Sequence, residues 1–232
     1  MDEIEKRLSD WHSSLEQTKE VDRAAIIARN PIAHEWEALF KSWIYRIALF
    51  WRMYELLQQT VNLLKDGHGL GARILIRSAL ETFGALVFLN EKMKNVLEGG
   101  EGFFDFSENM SKMLIGSRDD STPRKAINII TMLKKTKKKY PEIYNHYELF
   151  CESAHPNCDG LLGGYSTIDT DKHIVSFHHF WNSEWDSSQL SFLVNCMKLF
   201  EHEYHEWVNI YRELELWVEN HSEEIRAEFA KK

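Results

Sequence analysis

Five side chains able to do chemistry gather between residues 148 and 158: Glu148, Cys151, Glu152, His155 and Cys158. Glu152 and His155 have the E-x-x-H spacing of carboxylate-bridged di-iron bundles, which need a second such pair and two further helical glutamates. No second pair occurs in the chain. Cys151, His155 and Cys158 offer three donors for zinc without a clear fourth. His178, His179 or Cys196 would complete that set only through tertiary contact. The sequence therefore calls for no metal and no cofactor. His155 remains as an imidazole at a helix end, suited to moving protons at neutral pH. The plainer account is a structural histidine that closes a helix before Pro156.

Arg77 and Glu81 stand four residues apart in the apolar stretch 73–83, so they share a helix face. Charges in such surroundings need partners, which predicts an Arg77–Glu81 ion pair or a network with another helix. The same pair could form a polar site inside a bundle. A third feature is the run Lys134, Lys135, Lys137, Lys138 and Lys139. Residues 121–141 hold seven basic side chains and no acidic one, in a chain whose net charge is −8. That is a phosphate-attracting element. The plainer account is a solvated helix end whose lysines complement the helix dipole. Residues 201–206, Glu-His-Glu-Tyr-His-Glu, do not make H-E-x-x-H, because His202 and His205 are three apart; they read as the polar face of a helix. There is no glycine-rich phosphate loop and no G-x-S-x-G elbow.

The elements that must position these groups are helices. Ile4, Leu8, Trp11, Leu15, Val21 and Ala25 predict a first helix over residues 1–29, closed by Asn30-Pro31. In 32–65 the residues Trp36, Phe40, Trp43, Ile47, Phe50, Tyr54, Leu57, Val61 and Leu64 step by three or four throughout. Asp66-Gly67-His68-Gly69 is a turn, and a second long helix follows to 96, so 32–96 reads as an antiparallel helical hairpin. A short apolar helix fits 103–115. Within 123–155 shorter helices are expected, the first beginning at Thr122-Pro123 as N-cap and first helical residue. Residues 157–182 are the least helical stretch, an ordered loop or a small β-hairpin. One long helix spans 187–229. The expectation is an all-α bundle forming one domain over 1–232.

Composition bounds the rest. A chain of 232 residues with 44% apolar side chains and only four prolines can bury a sizeable core without disulfides. Three cysteines fit a reducing cytoplasm. The acidic, amphipathic start lacks the layout of a secretory signal. The most apolar uncharged window, 82–90, is far too short to span a bilayer, so no membrane contact is expected. Global acidity argues against general nucleic-acid binding and confines it to the basic run.

Two segments carry a family resemblance. Residues 69–81 contain Arg77-Ser78-Ala79-Leu80-Glu81, an R-S-x-L-E helix. Residues 147–157 contain a helix ending in His155-Pro156. Together they resemble uncharacterised bacterial helical proteins similar to the HEPN superfamily, over roughly residues 35–200. The resemblance implies a helical bundle, commonly a homodimer. It also implies a role in bacterial stress or phage defence, binding RNA or a nucleotide or cleaving RNA without metal. The superfamily's nuclease signature is an Arg four to six residues before a His. Here residues 149–151 are Leu, Phe and Cys, so Arg77 would have to supply that charge from another helix. On this reading His155, Arg77 and Glu81 form the catalytic site and Lys134, Lys135, Lys137, Lys138 and Lys139 hold phosphate. The rival expectation is a non-catalytic interaction or dimerisation module that buries aromatic surface against a partner or a second copy.

Overall fold

The two long periodic segments become the centre of the molecule. In the computed structural model, which describes residues 1–179 and 187–231, α3 spans Glu37–Lys65 and α4 spans Gly69–Leu97. Gly67 turns the chain between them at φ +75°, a conformation that costs glycine little. Its amide bonds the Leu64 carbonyl at 3.2 Å, and the His68 amide bonds the Leu63 carbonyl at 2.7 Å. This Schellman pattern satisfies the last carbonyls of α3 and reverses the chain. α4 buries Ala79, Leu80, Phe83, Leu86 and Phe88, on several sides at once. A helix apolar all round belongs at the core, and α3 and the helices that follow later in the chain pack on it.

The outer elements depart from expectation at their ends. α1, Asp2–Glu16, buries the expected stripe Ile4, Leu8, Trp11 and Leu15. The single N-terminal helix expected over 1–29 is split. Beyond Leu15 the stripe offers only Val21 before Asp22, whose carboxylate accepts from the amides of Ala24 and Ala25 and starts α2, Arg23–Arg29. A 3-10 turn, Ala33–Glu35, follows before α3. The stripe of α3 is also rotated slightly: Leu39, Met53 and Leu57 are buried, while Trp43 is half-buried and meets Trp207 and Tyr211 edge-on. Among the described residues the buried indoles are Trp207, 2% exposed, and Trp11, 4% exposed.

α5 is Phe103–Ile115, as its pattern predicts. The next helix does not start at Pro123. The Ser117 amide bonds the Arg124 carbonyl and the Ala126 amide bonds the Ser117 carbonyl, both at 2.9 Å, so 117–126 is a loop. The Thr122 hydroxyl donates within that loop to the Arg124 carbonyl. α6, Ile129–Lys139, starts instead at Asn128, whose side chain accepts from the Ile130 amide. Tyr140 is non-helical before Pro141, the first residue of α7, Pro141–Ala154.

After α7 a π-helical turn, Cys158–Gly163, leads to a hairpin of β1, Ser166–Asp169, and β2, Ile174–Phe177. The pairing is antiparallel, with Ser166 opposite Phe177 and Ile168 opposite Val175. Residues 180–182 of the expected insertion lie outside the described residues. The expected helix over 187–229 breaks at His221 into α8, Ser187–Asn220, and α9, Ser222–Ala230.

Candidate functional site

α4 and α7 run antiparallel, which decides what Arg77 meets. Its terminal amino group pairs with Glu81 at 3.1 Å, as the sequence predicts. From α7 its Nε donates to the Cys151 Sγ at 3.1 Å, and its guanidinium lies 5.7 Å from the Tyr147 ring. Burial pulls the Arg77 pKa down, but the contacts with Cys151, Tyr147 and Glu81 outweigh it and raise it above its ordinary value. The Tyr147 hydroxyl reaches Glu81 at 3.4 Å.

His155 lies one turn beyond Cys151, about 6 Å along the axis. Its amide bonds the Cys151 and Glu152 carbonyls, so it ends α7. Its side chain is exposed. Among the described residues no hydrogen bond or ion pair joins its ring to Arg77 or Glu81. The arginine nearer that end of α7 is Arg73, only 8% exposed, whose Nε donates to the Ser153 Oγ at 2.8 Å. Among the described residues no three His, Cys, Asp or Glu side chains gather to hold a metal.

The lysine run of α6 does not act as one patch. Met132, Leu133 and Thr136 face the core. They come close to α4 at Gly84, where a Cβ would stand 2.9 Å from the Leu133 side chain and 3.2 Å from the Thr136 Oγ1. Lys139 turns to Glu203 of α8 and pairs with it at 2.6 Å. Glu203 is wholly buried, and it also accepts from Tyr140 at 2.5 Å and from Asn90 at 2.7 Å. Burial alone would raise its pKa; the bonds from Lys139, Tyr140 and Asn90 win and lower it. Lys137 sits 4.4 Å from the Tyr144 ring. Lys134 and Lys138 are exposed.

Lys135 points elsewhere. With Lys92, Lys112 and Lys125 it lines a cleft of about 470 Å³ between α4, α5, the 116–128 loop and α6. Phe88 and Ile127 give the cleft apolar surface, and Asn95, Asn109 and Thr131 line it with polar groups. Lys92 is held by Glu101 at 2.8 Å, and Asn109 donates to the same carboxylate at 2.6 Å. Among the described residues Lys112, Lys125 and Lys135 have no ion pair, and Glu91 is the acid facing them across the cleft. The arrangement is a concave site with two more positive charges than negative, next to exposed Lys134 and Lys138. It suits an oxyanion such as a phosphate.

The sequence pointed to Lys135, but not to the cleft it shares with Lys112 and Lys125. It assigned Lys139 to phosphate, whereas that side chain, one-third exposed, pairs with the buried Glu203. It also missed Glu203. The signal was present, since Phe200, Glu203 and Trp207 keep the three-four step of the buried stripe.

Residues 44–115, most of α3 with α4 and α5, match the sequence model of a family described as "Family of unknown function (DUF5677)". The matched region contributes Lys92 and Lys112 to the cleft and contains Arg77 and Glu81, whereas Lys125, α6 and His155 lie beyond it. That description carries no activity and no link to the HEPN superfamily. No curated protein and no solved structure matches the chain. No helix among the described residues is long and apolar enough to cross a membrane.

Proposed function

We propose that this protein binds RNA through its phosphates, using the cleft lined by Lys112, Lys125 and Lys135 and the adjoining Lys134 and Lys138. It acts as a HEPN-like binder in a bacterial stress or defence setting rather than as a nuclease. The observation that carries this reading is the set of cleft lysines without acidic partners in an otherwise acidic molecule. The choice of binding over cleavage is supported by the contacts of Arg77, which is engaged by Glu81 and Cys151 while His155 stands exposed at the end of α7.

The test is fluorescence anisotropy with a labelled single-stranded RNA in EDTA, at several KCl concentrations. Five lysines on phosphates predict a log–log salt slope of about −3.5. The double variant K125Q/K135Q should flatten the slope by about 1.4 and weaken binding roughly tenfold at low salt. Salt-independent binding, or an unchanged slope in the variant, would reject the reading. RNA cleavage in EDTA that disappears in His155→Ala would replace it with the nuclease.

A second reading rests on a different surface. Ile168, Val175 and Phe177 share one face of the hairpin and are all exposed, Phe177 by 76%. A two-stranded hairpin is marginal alone, and an apolar face of this kind suits burial against a second copy. On that reading the protein is a homodimer joined through β1 and β2.

A further inference from the structure

Glu81 faces a second cleft, on the other side of Ile127 from the lysines. This cleft, of about 450 Å³, lies between α3, α4, the end of α5, the 116–128 loop and the first turn of α6. We propose that it is a binding site for a small amphipathic carboxylate, with Arg52 and Arg118 holding the carboxylate and the apolar walls holding its body.

The charges support this. The Arg52 Nε donates to the Thr82 Oγ1 at 3.1 Å, and the Thr82 hydroxyl donates to the Ser78 carbonyl at 2.9 Å. That chain fixes the guanidinium at the cleft wall without neutralising it. Arg118 is exposed on the loop and has no hydrogen bond or ion pair among the described residues. The acid on the lining, Glu81, is already paired with Arg77 at 3.1 Å. Two planar, permanently charged forks thus face the cleft with no counter-charge of their own, and a fork of this shape matches a carboxylate. The Tyr45 hydroxyl adds a donor: burial pushes its pKa up to about 12, so it keeps its proton.

The walls select the rest of the ligand. Leu49, Ala85, Leu114, Ile129 and Met132 line the cleft, which lies within the size range of small-molecule sites. An inorganic anion would leave that surface bare. Glu81, though paired with Arg77, keeps its negative charge on the same wall and opposes a second negative charge on the ligand. The fitting ligand carries a single negative charge on an apolar, ring-sized body. The two clefts share Ile127 and both touch α6, but their charged groups differ, Arg52 and Arg118 here and Lys112, Lys125 and Lys135 there, so neither proposal needs the other.

The test is isothermal titration of the full chain with 2-naphthoate, its neutral amide and 2-naphthyl phosphate. The expected result is one site for 2-naphthoate, with the amide at least about tenfold weaker, a difference of 1.4 kcal/mol. Arg118→Gln, at an exposed loop position, should weaken 2-naphthoate about tenfold, leave the amide unchanged and keep the far-UV circular dichroism. Ala48→Trp, which fills the mouth from the exposed side of α3, should abolish binding of both acid and amide. No 2-naphthoate binding at about 1 mM would overturn the proposal. So would equal affinity for acid and amide, tighter binding of the phosphate, or an unchanged affinity in Arg118→Gln.

Discussion

Replacing Glu203 by Gln tests how the basic helix is held to the core. The carboxylate is 0% exposed and takes three donors: Lys139 at 2.6 Å, Tyr140 at 2.5 Å and Asn90 at 2.7 Å. In Glu203→Gln one oxygen becomes an amide nitrogen. If the remaining oxygen stays with Tyr140, the new nitrogen faces the Asn90 amide nitrogen, donor against donor. Asn90 can flip, since its own Oδ1 is buried without a partner, but it then loses its 2.9 Å bond to the Glu203 carbonyl. Either way one buried bond disappears, at a cost of about 1–3 kcal/mol. The ion pair is lost too, but the Lys139 side chain is one-third exposed and can turn to water, so that loss is discounted to about 1 kcal/mol or less. The expected cost is about 3 kcal/mol, a fall in Tm on the order of 10 °C for a chain of this size. Urea denaturation followed by circular dichroism measures it. The folded-state pKa of Glu203 lies below its ordinary value of 4.5. Its stabilisation is therefore complete above that ordinary value and is lost as pH falls through the folded-state pKa. The deficit of Glu203→Gln should be constant from neutral pH down to about 5 and shrink below 4.5. A deficit under about 0.5 kcal/mol at pH 7, or one that grows on acidification, would refute the reasoning.

Two further outcomes follow from the packing and the hairpin. Gly84→Val places a branched side chain where a single Cβ would already stand 2.9 Å from the end of the Leu133 side chain and 3.2 Å from the Thr136 Oγ1, so those side chains must repack or α6 must shift from α4. The expected loss is about 1–3 kcal/mol in the same urea assay, and stability equal to the wild type would contradict the close helix approach. If the hairpin joins two copies, Phe177→Glu should shift sedimentation from dimer to monomer with helicity unchanged; a dimer that persists would remove the second reading.

The helical hairpin was legible in the sequence because α3 and α4 are long and their apolar steps repeat over many turns, so local pattern and tertiary packing agree. The ends that differed were settled by other means. Asp22 and Asn128 start helices because their side chains accept backbone amides there. Thr122-Pro123 has the same local chemistry but sits in a loop held by bonds between Ser117 and residues 124–126. A cap motif reads alike in both places, and only contacts distant in sequence separate them. Val21 and Ala25 continued the period of α1 on paper, yet α2 buries none of its residues.

The candidate site was legible as charge and illegible as geometry, and α6 shows why. Five lysines in six residues read as one positive patch, but a helix turns by about 100° per residue and sends them to different neighbours. Leu133 and Thr136 must face Gly84, because that is where α4 leaves room. Once those two are placed, the directions of the lysines are fixed. Lys139 meets the buried Glu203, Lys135 lines the cleft with Lys112 and Lys125, and Lys134 and Lys138 face water. One sequence feature therefore has separable roles. Removing Lys139 acts on the anchoring of α6, while removing Lys135 acts on the cleft and leaves the anchor in place. The α4–α6 contact sets that division, so the spacing of the glycine and the small hydroxyl matters to the charged surface as much as the lysines themselves.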